Sequence, residues 1–256
     1  MSLNLTKAAD TNLPRGEDRC PGPSYQDILD ADGYDVPEAM RAQQYEFLGD
    51  EDIGFERYSS QEFAEAEIDH MWNRTWQWAC REEHIPAKGD RYVYDVGPYS
   101  ILVVRGDDQK IRAFVNSCPH RGMQFATEGS TGVRRPTIRC PFHGMTFNLD
   151  GSLNEIPCRW DFPHLDEENF RLTEIQCDLW GGFVFINMDK DAAPLADYLE
   201  VVPDHFKLWP MDDRYVALHT EKVLPANWKM AMEAFLEAFH VLETHSQAVQ
   251  TAGDAN

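Results

Sequence analysis

The spacing of apolar positions along this chain changes three times. Residues 1–50 show little periodicity and are rich in Pro, Gly, Asp and Glu, which predicts a loosely ordered acidic arm with one short helix. Farther on, Ala64, Ile68, Met71 and Trp72 fall at helical spacing, and Ser59 with Glu62 makes a capping-box pair. A helix is therefore expected over 60–75, packed on a core. Between 90 and 190 the helical period gives way to short runs rich in β-branched and aromatic residues: RYVYDV, SILVV, IRAFVN, TIRC, MTFNL and GGFVFINM. Gly106-Asp107 and Asp150-Gly151 lie between such runs and suit hairpin turns. Beyond 190 come a helical PLADYLEVVPDHF, a strand-like RYVALHTEKVL and a helical ANWKMAMEAFLEAFHVLE. The expected class is α+β: an arm over 1–50, an all-β domain with a leading helix over 51–190, and a second domain beginning at 191.

Composition narrows the function. With 256 residues and 43% hydrophobic content the chain can bury a sizeable core. Forty-four acidic against 23 basic residues give a formal charge of −21, which repels phosphate backbones and anionic lipid, so neither nucleic acid nor membrane is an expected partner. There is no run of 18 apolar residues and no signal-peptide pattern at the N-terminus, so a cytoplasmic location is expected. In that setting the six cysteines read as metal ligands or free thiols before disulfides.

Their spacing is informative. Cys118-Pro-His120-Arg-Gly is followed by Cys140-Pro-Phe-His143-Gly, with nineteen residues separating His120 from Cys140. Two thiolates and two neutral imidazoles on an iron–sulfur cluster leave less negative charge than four thiolates, which raises its potential and suits an electron relay. A structural zinc site can also use two Cys and two His, but Cys-x-His is tighter than the usual separation of zinc ligand pairs. Cys20, Cys80, Cys158 and Cys177 lack partner spacing and read as structural thiols. His70, His84, His164, His205 and His219 likewise stand alone.

CPHRG followed by CPFHG resembles the Rieske signature, in the version found in Rieske non-haem iron oxygenases. The resemblance implies a [2Fe-2S] cluster with Cys118 and Cys140 on one iron and His120 and His143 on the other. Respiratory-chain Rieske proteins carry two further cysteines where this chain has Met123 and Phe142, which disfavours that branch. The spacing between the motifs is slightly longer than usual in the family and reads as an enlarged hairpin, EGSTGVRRP.

Glu233, Glu237 and His240 follow a 0, 4, 7 spacing, so on a regular helix they line one face about 10 Å long. His245, five residues beyond His240, would point roughly 140° away, so a break or bulge is expected between them. Alternatively, the segment is an amphipathic helix with acids on its wet face. Placed downstream of the Rieske motif, the segment resembles the mononuclear iron motif of the same oxygenases. That resemblance implies His240 and His245 as iron ligands. It implies Glu237, where the family usually has Asp, as the carboxylate bridging a Rieske histidine to an iron-site histidine across a subunit boundary. Glu233 is a further candidate on the same segment.

The family's third ligand is an Asp far downstream. Asp254 is the one carboxylate after His245, so a longer polypeptide is expected, with the third ligand outside this sequence. The resemblance further implies a helix-grip-like catalytic domain, of which this chain holds the start. It implies electrons from NAD(P)H through a reductase and possibly a ferredoxin, and a homotrimer or α3β3 assembly. O2 would be activated at Fe(II) beside an apolar, aromatic or polycyclic substrate, with Met232, Phe235, Phe239 and Leu242 as candidate walls. The competing class is a Rieske electron carrier without oxygenation chemistry, and a zinc-stabilised binding module comes third.

Overall fold

The computed structural model describes residues 25–41, 49, 51–127, 134–237, 240–245 and 247. In chain order the elements are α1 (Tyr25–Ala31), α2 (Glu38–Arg41), α3 (Glu56–Ser59), α4 (Gln61–Glu67), β1 (Gln77–Arg81), β2 (Arg91–Val96), β3 (Tyr99–Arg105), β4 (Ile111–Val115), β5 (Ile138–Arg139), β6 (Thr146–Phe147), β7 (Leu153–Glu155), β8 (Glu174–Trp180), β9 (Phe183–Asn187), α5 (Leu195–Leu199), α6 (Val202–Phe206), α7 (Trp228–Glu233) and α8 (Val241–Thr244). The chain divides into two compact units, residues 1–52 with 193–214, and residues 53–192 with 215–256. In the first, the described helices are α1, α2, α5 and α6, and Leu29 and Leu195 are buried.

The second unit is built on two antiparallel sheets, one of six strands in the order β1-β9-β8-β4-β3-β2 and one of three in the order β5-β6-β7. Because β3 has strands on both sides and side chains on both faces of the sheet, its apolar run is continuous. Leu102 and Val104 point into one core with Phe114, Phe147 and Met145, while Ile101 and Val103 point into another with Val184 and Ile186. The first core carries the two cysteine loops, since Cys118 and Cys140 belong to it.

Both predicted turns close hairpins. Between β3 and β4 the left-handed residue is Gln109 (φ 67°) rather than Gly106. Between β6 and β7 it is Gly151 (φ 82°), where an added Cβ would lie 2.6 Å from the Phe114 ring. Asp150 accepts from Ser152 N and Oγ at 2.9 and 2.6 Å, pinning that turn.

Several expectations are corrected. The helix expected over 60–75 is capped by Ser60, which accepts from Phe63 N at 3.1 Å, whereas Ser59 closes α3 by donating to Phe55 O. Past Glu67 it continues as a π turn over Ile68–Trp72. The sheet starts before 90, with β1, whose alternation is masked because Gln77 and Arg81 are buried polar residues. Gln77 donates to Trp72 O at 2.5 Å, and Arg81 donates to Gly181 O at 2.8 Å and lies over the Phe183 ring. Residues 214–224 form no strand; none of the described strands pairs with them, and without a neighbour their backbone groups gain no ladder. The hairpin EGSTGVRRP lies partly outside the described residues. Cys80 is a core thiol that burial pushes up to about 12, but Cys158 is exposed at φ 56°.

The long helix expected over 226–243 is two short ones. α7 ends at Glu233, and three-residue turns follow, from Phe235 N to Met232 O and from Leu236 N to Glu233 O. The start of α7 is held to the leading helices. Asn227 caps it through Lys229 N and donates to Tyr58 O, and Lys229 Nζ lies 2.6 Å from Glu67 Oε1. Glu233 accepts from Tyr58 Oη at 2.9 Å and pairs with Arg57 at 3.1 Å. Glu233 and Glu237 therefore do not line one helical face, because Arg57 and Tyr58 of α3 take Glu233.

Candidate functional site

The two cysteine loops have the same backbone construction. In the first, Cys118 N donates to Met123 O and Gly122 N to Cys118 O, both at 2.8 Å. In the second, Cys140 N donates to Met145 O at 2.8 Å and Gly144 N to Cys140 O at 3.1 Å. Gly122 and Gly144 each sit at φ 76°, a conformation that favours glycine. The loops differ in where the imidazole hangs, two residues after the first cysteine and three after the second. The result is two cysteines, each 2% exposed, and two more exposed rings, His120 and His143, with centroids 4.8 Å apart. His120 is half-buried against Phe162, and His143 is exposed beside Phe142.

Asn116, two residues before Cys118, is 1% exposed. It donates to Ala126 O at 2.7 Å and to Ser100 Oγ at 3.0 Å, and its Oδ1 accepts from Phe125 N and Ala126 N. It closes the first loop onto the sheet. A lone Asn after a strand gives no signal of this in the sequence.

These donors fit an iron–sulfur cluster. Burial raises the Cys118 thiol, and contact with Cys140 adds to the rise, while the N–H groups of His120 and Arg121 donate towards Cys118 and oppose it. Backbone donors aimed at a buried sulfur stabilise a thiolate, the form that ligates metal. Among the described residues no three His, Cys, Asp or Glu side chains converge on one ion.

The second centre is partly assembled. Glu237 Oε1 lies 2.5 Å from His240 Nδ1, and the His240 and His245 rings stand edge to face at 5.4 Å. His245 ends α8, so the two imidazoles leave the backbone from opposite ends of one turn. Glu233 lies apart with Tyr58 and Arg57. Met232 and Phe235 are 43% and 91% exposed; Phe239, Asp254 and the side chain of Leu242 lie outside the described residues.

These features are those of a Rieske-type iron–sulfur module followed by a carboxylate–histidine segment. The Rieske [2Fe-2S] domain family matches residues 75–166, and the ring hydroxylating alpha subunit (catalytic domain) family matches residues 204–255. The chain thus carries a Rieske [2Fe-2S] domain and part of a ring hydroxylating alpha subunit catalytic domain, and its relatives are oxygenase subunits of Rieske non-haem iron oxygenases, a family that uses a [2Fe-2S] cluster and non-haem iron. Among its relatives is the carnitine monooxygenase oxygenase subunit of Acinetobacter pittii, 30% identical over 73% of this chain and 51% of the relative. The quaternary ammonium Rieske monooxygenase CntA in complex with L-carnitine superposes with TM-score 0.71 at 28% identity, over 77% of this chain and 55% of that one. Naphthalene 1,2-dioxygenase with indole bound superposes with TM-score 0.68 at 27% identity, over 77% and 47%. The chain thus spans about half the length of the curated relatives it matches. No helix among the described residues is long and apolar enough to cross a membrane.

Proposed function

We propose that the chain is part of a terminal oxygenase in which Cys118, His120, Cys140 and His143 hold the cluster and His240 and His245 hold a mononuclear Fe(II). When bound, the cluster supplies one-electron transfers and the iron supplies O2 activation for hydroxylation. The protein's own part is positional. Buried Cys118 and Cys140 keep water from the sulfurs, whereas exposed His143 offers a ring nitrogen outward. Glu237 accepts from His240 Nδ1, which leaves Nε2 free to face a metal. In this reading Glu237 also accepts from His143 of a neighbouring copy and so links two imidazoles across a subunit boundary in a homotrimer or α3β3 assembly. Electrons from NAD(P)H arrive through a reductase, with or without a ferredoxin. Glu233 acts as an anchor for this segment.

The Glu237–His240 contact carries the reading, because a simple electron carrier has no use for a carboxylate-oriented imidazole far along the chain from its cluster. Glu237→Gln should leave both metals bound and slow product formation about 10- to 100-fold, and unchanged turnover would remove the bridging role.

The substrate favoured by the relatives is a small quaternary ammonium acid of the carnitine type, whose cation aromatic side chains recognise well. Hydroxylation of an apolar aromatic compound is the second reading, favoured by the likeness to naphthalene 1,2-dioxygenase. Oxygen uptake and product mass with L-carnitine, glycine betaine and naphthalene decide between them. Product from naphthalene alone would reverse the order.

A further inference from the structure

A cavity of about 920 Å³ opens beside the second cysteine loop, lined by Arg91, Arg135, Arg139, Phe142, His143 and Pro157 among others. Three arginines line it, and among the described residues no carboxylate does. Arg91 is 5% exposed; its one hydrogen bond among the described residues is a 3.3 Å contact with Thr137 O, and its Nε is buried with no partner. Burial holds Arg91 below its ordinary range, and the like charge of Arg135 lowers it further. Arg139 lies across the second loop, 3.2 Å from where a Cβ on Gly144 would sit. The adjacent Arg134, by contrast, is paired with Asp90 at 3.0 Å.

A buried, partly unsatisfied guanidinium among like charges is costly unless an anion completes it. Arginine's planar fork matches a carboxylate, and the cavity exceeds what a single inorganic ion fills. In a chain of net charge −21, carboxylates are what a second copy has most to offer. Glu243 is exposed, has no ion pair among the described residues, and lies six positions beyond Glu237.

We propose that the arginine cavity beside His143 receives Glu243 of a second copy of this chain, locking the two copies together where His143 and Glu237 are brought into contact. The proposal rests on the bridging role given above to Glu237. It adds an electrostatic lock that fixes register between copies.

The test is self-association of the holoprotein by sedimentation velocity, with iron and sulfide content as the control for folding. Arg135→Glu and Arg139→Glu avoid the buried Arg91 and should each weaken association at least about tenfold, with the cluster retained. Glu243→Arg alone should weaken it similarly, and Arg135→Glu combined with Glu243→Arg should restore much of the loss. Unchanged association in the arginine variants, or no rescue in the charge swap, overturns the proposal. So does a result in which association holds while the KM for the electron-donor protein rises, since the cavity would then belong to that donor. Glu237→Gln separates this from the bridging role: slowed turnover there, with association intact in Arg135→Glu, removes the lock and keeps the bridge.

Discussion

Lys229→Met tests how the segment carrying Glu237 and His240 is anchored. Lys229 is 3% exposed, with its ammonium 2.6 Å from Glu67 and 5.1, 5.3 and 5.9 Å from the ring centroids of Phe63, Trp228 and Tyr58. Methionine keeps the length and most of the apolar volume, so the cavity contribution is small. What remains is a Glu67 side chain, 12% exposed, without its cation. Removing one partner of a buried pair costs about 3–5 kcal/mol. Trp228 Nε1 still donates to Glu67 at 3.3 Å and thioether contacts replace part of the cation–π attraction, which places the loss near the lower end, about 3 kcal/mol. At about 2–4 °C per kcal/mol, that lowers Tm by roughly 6–12 °C. Lys229→Met with Glu67→Leu removes both charges and should return to within about 1 kcal/mol of the parent. Calorimetry and urea unfolding of the holoprotein measure both variants. A single variant within about 0.5 kcal/mol of the parent, or a double variant no better than the single, would refute the anchoring argument.

Gly144→Ala forces a side chain into φ +76° against Arg139, costing about 1–2 kcal/mol, and should lower cluster occupancy as read by iron, sulfide and visible absorption. His143→Cys should keep a cluster and lower its reduction potential in a redox titration, because added thiolate charge stabilises the oxidised state; a potential that does not fall counts against His143 as a ligand. Ser60→Ala should cost about 1 kcal/mol of stability through the lost cap, whereas Ser59→Ala should cost less. The bonds from Ser152 hold the Asp150 carboxyl below its free value of 3.8, so its contribution is complete above that pH and lost as pH falls through the lowered folded value. The gap in urea midpoint between Asp150→Asn and the parent should therefore be widest near neutrality and close in acid, and a gap independent of pH would contradict this.

The β module was legible because its strands alternate or run apolar in the ordinary way, and its ligand loops were legible because ligand identity and spacing are local. β1 was missed because Gln77 and Arg81 bury polar groups against distant backbone carbonyls, which erases the alternation. The cap moved by one residue because Ser59 and Ser60 are both hydroxyls, and the end of α3 decides between them. Helical spacing over 226–243 was misleading for a tertiary reason. Tyr58 and Arg57 hold Glu233, Glu67 holds Lys229, and the chain turns after α7, which brings Glu237 onto His240 by a local carboxylate–imidazole bond. Asn116 and the arginine cavity were not visible in sequence, since an Asn that closes a loop leaves no spacing signal and the cavity draws on residues from Arg91 to Pro157.

In the proposed oxygenase one chain holds both a Rieske cluster and a separate imidazole site for iron. Iron and acid-labile sulfide counted per chain, in the parent and in a His240→Ala/His245→Ala variant, test it most directly. The variant should lose about one iron per chain while sulfide and the cluster's spectrum stay unchanged. Iron content unaffected by the substitutions, or a cluster lost along with the second site, would contradict it.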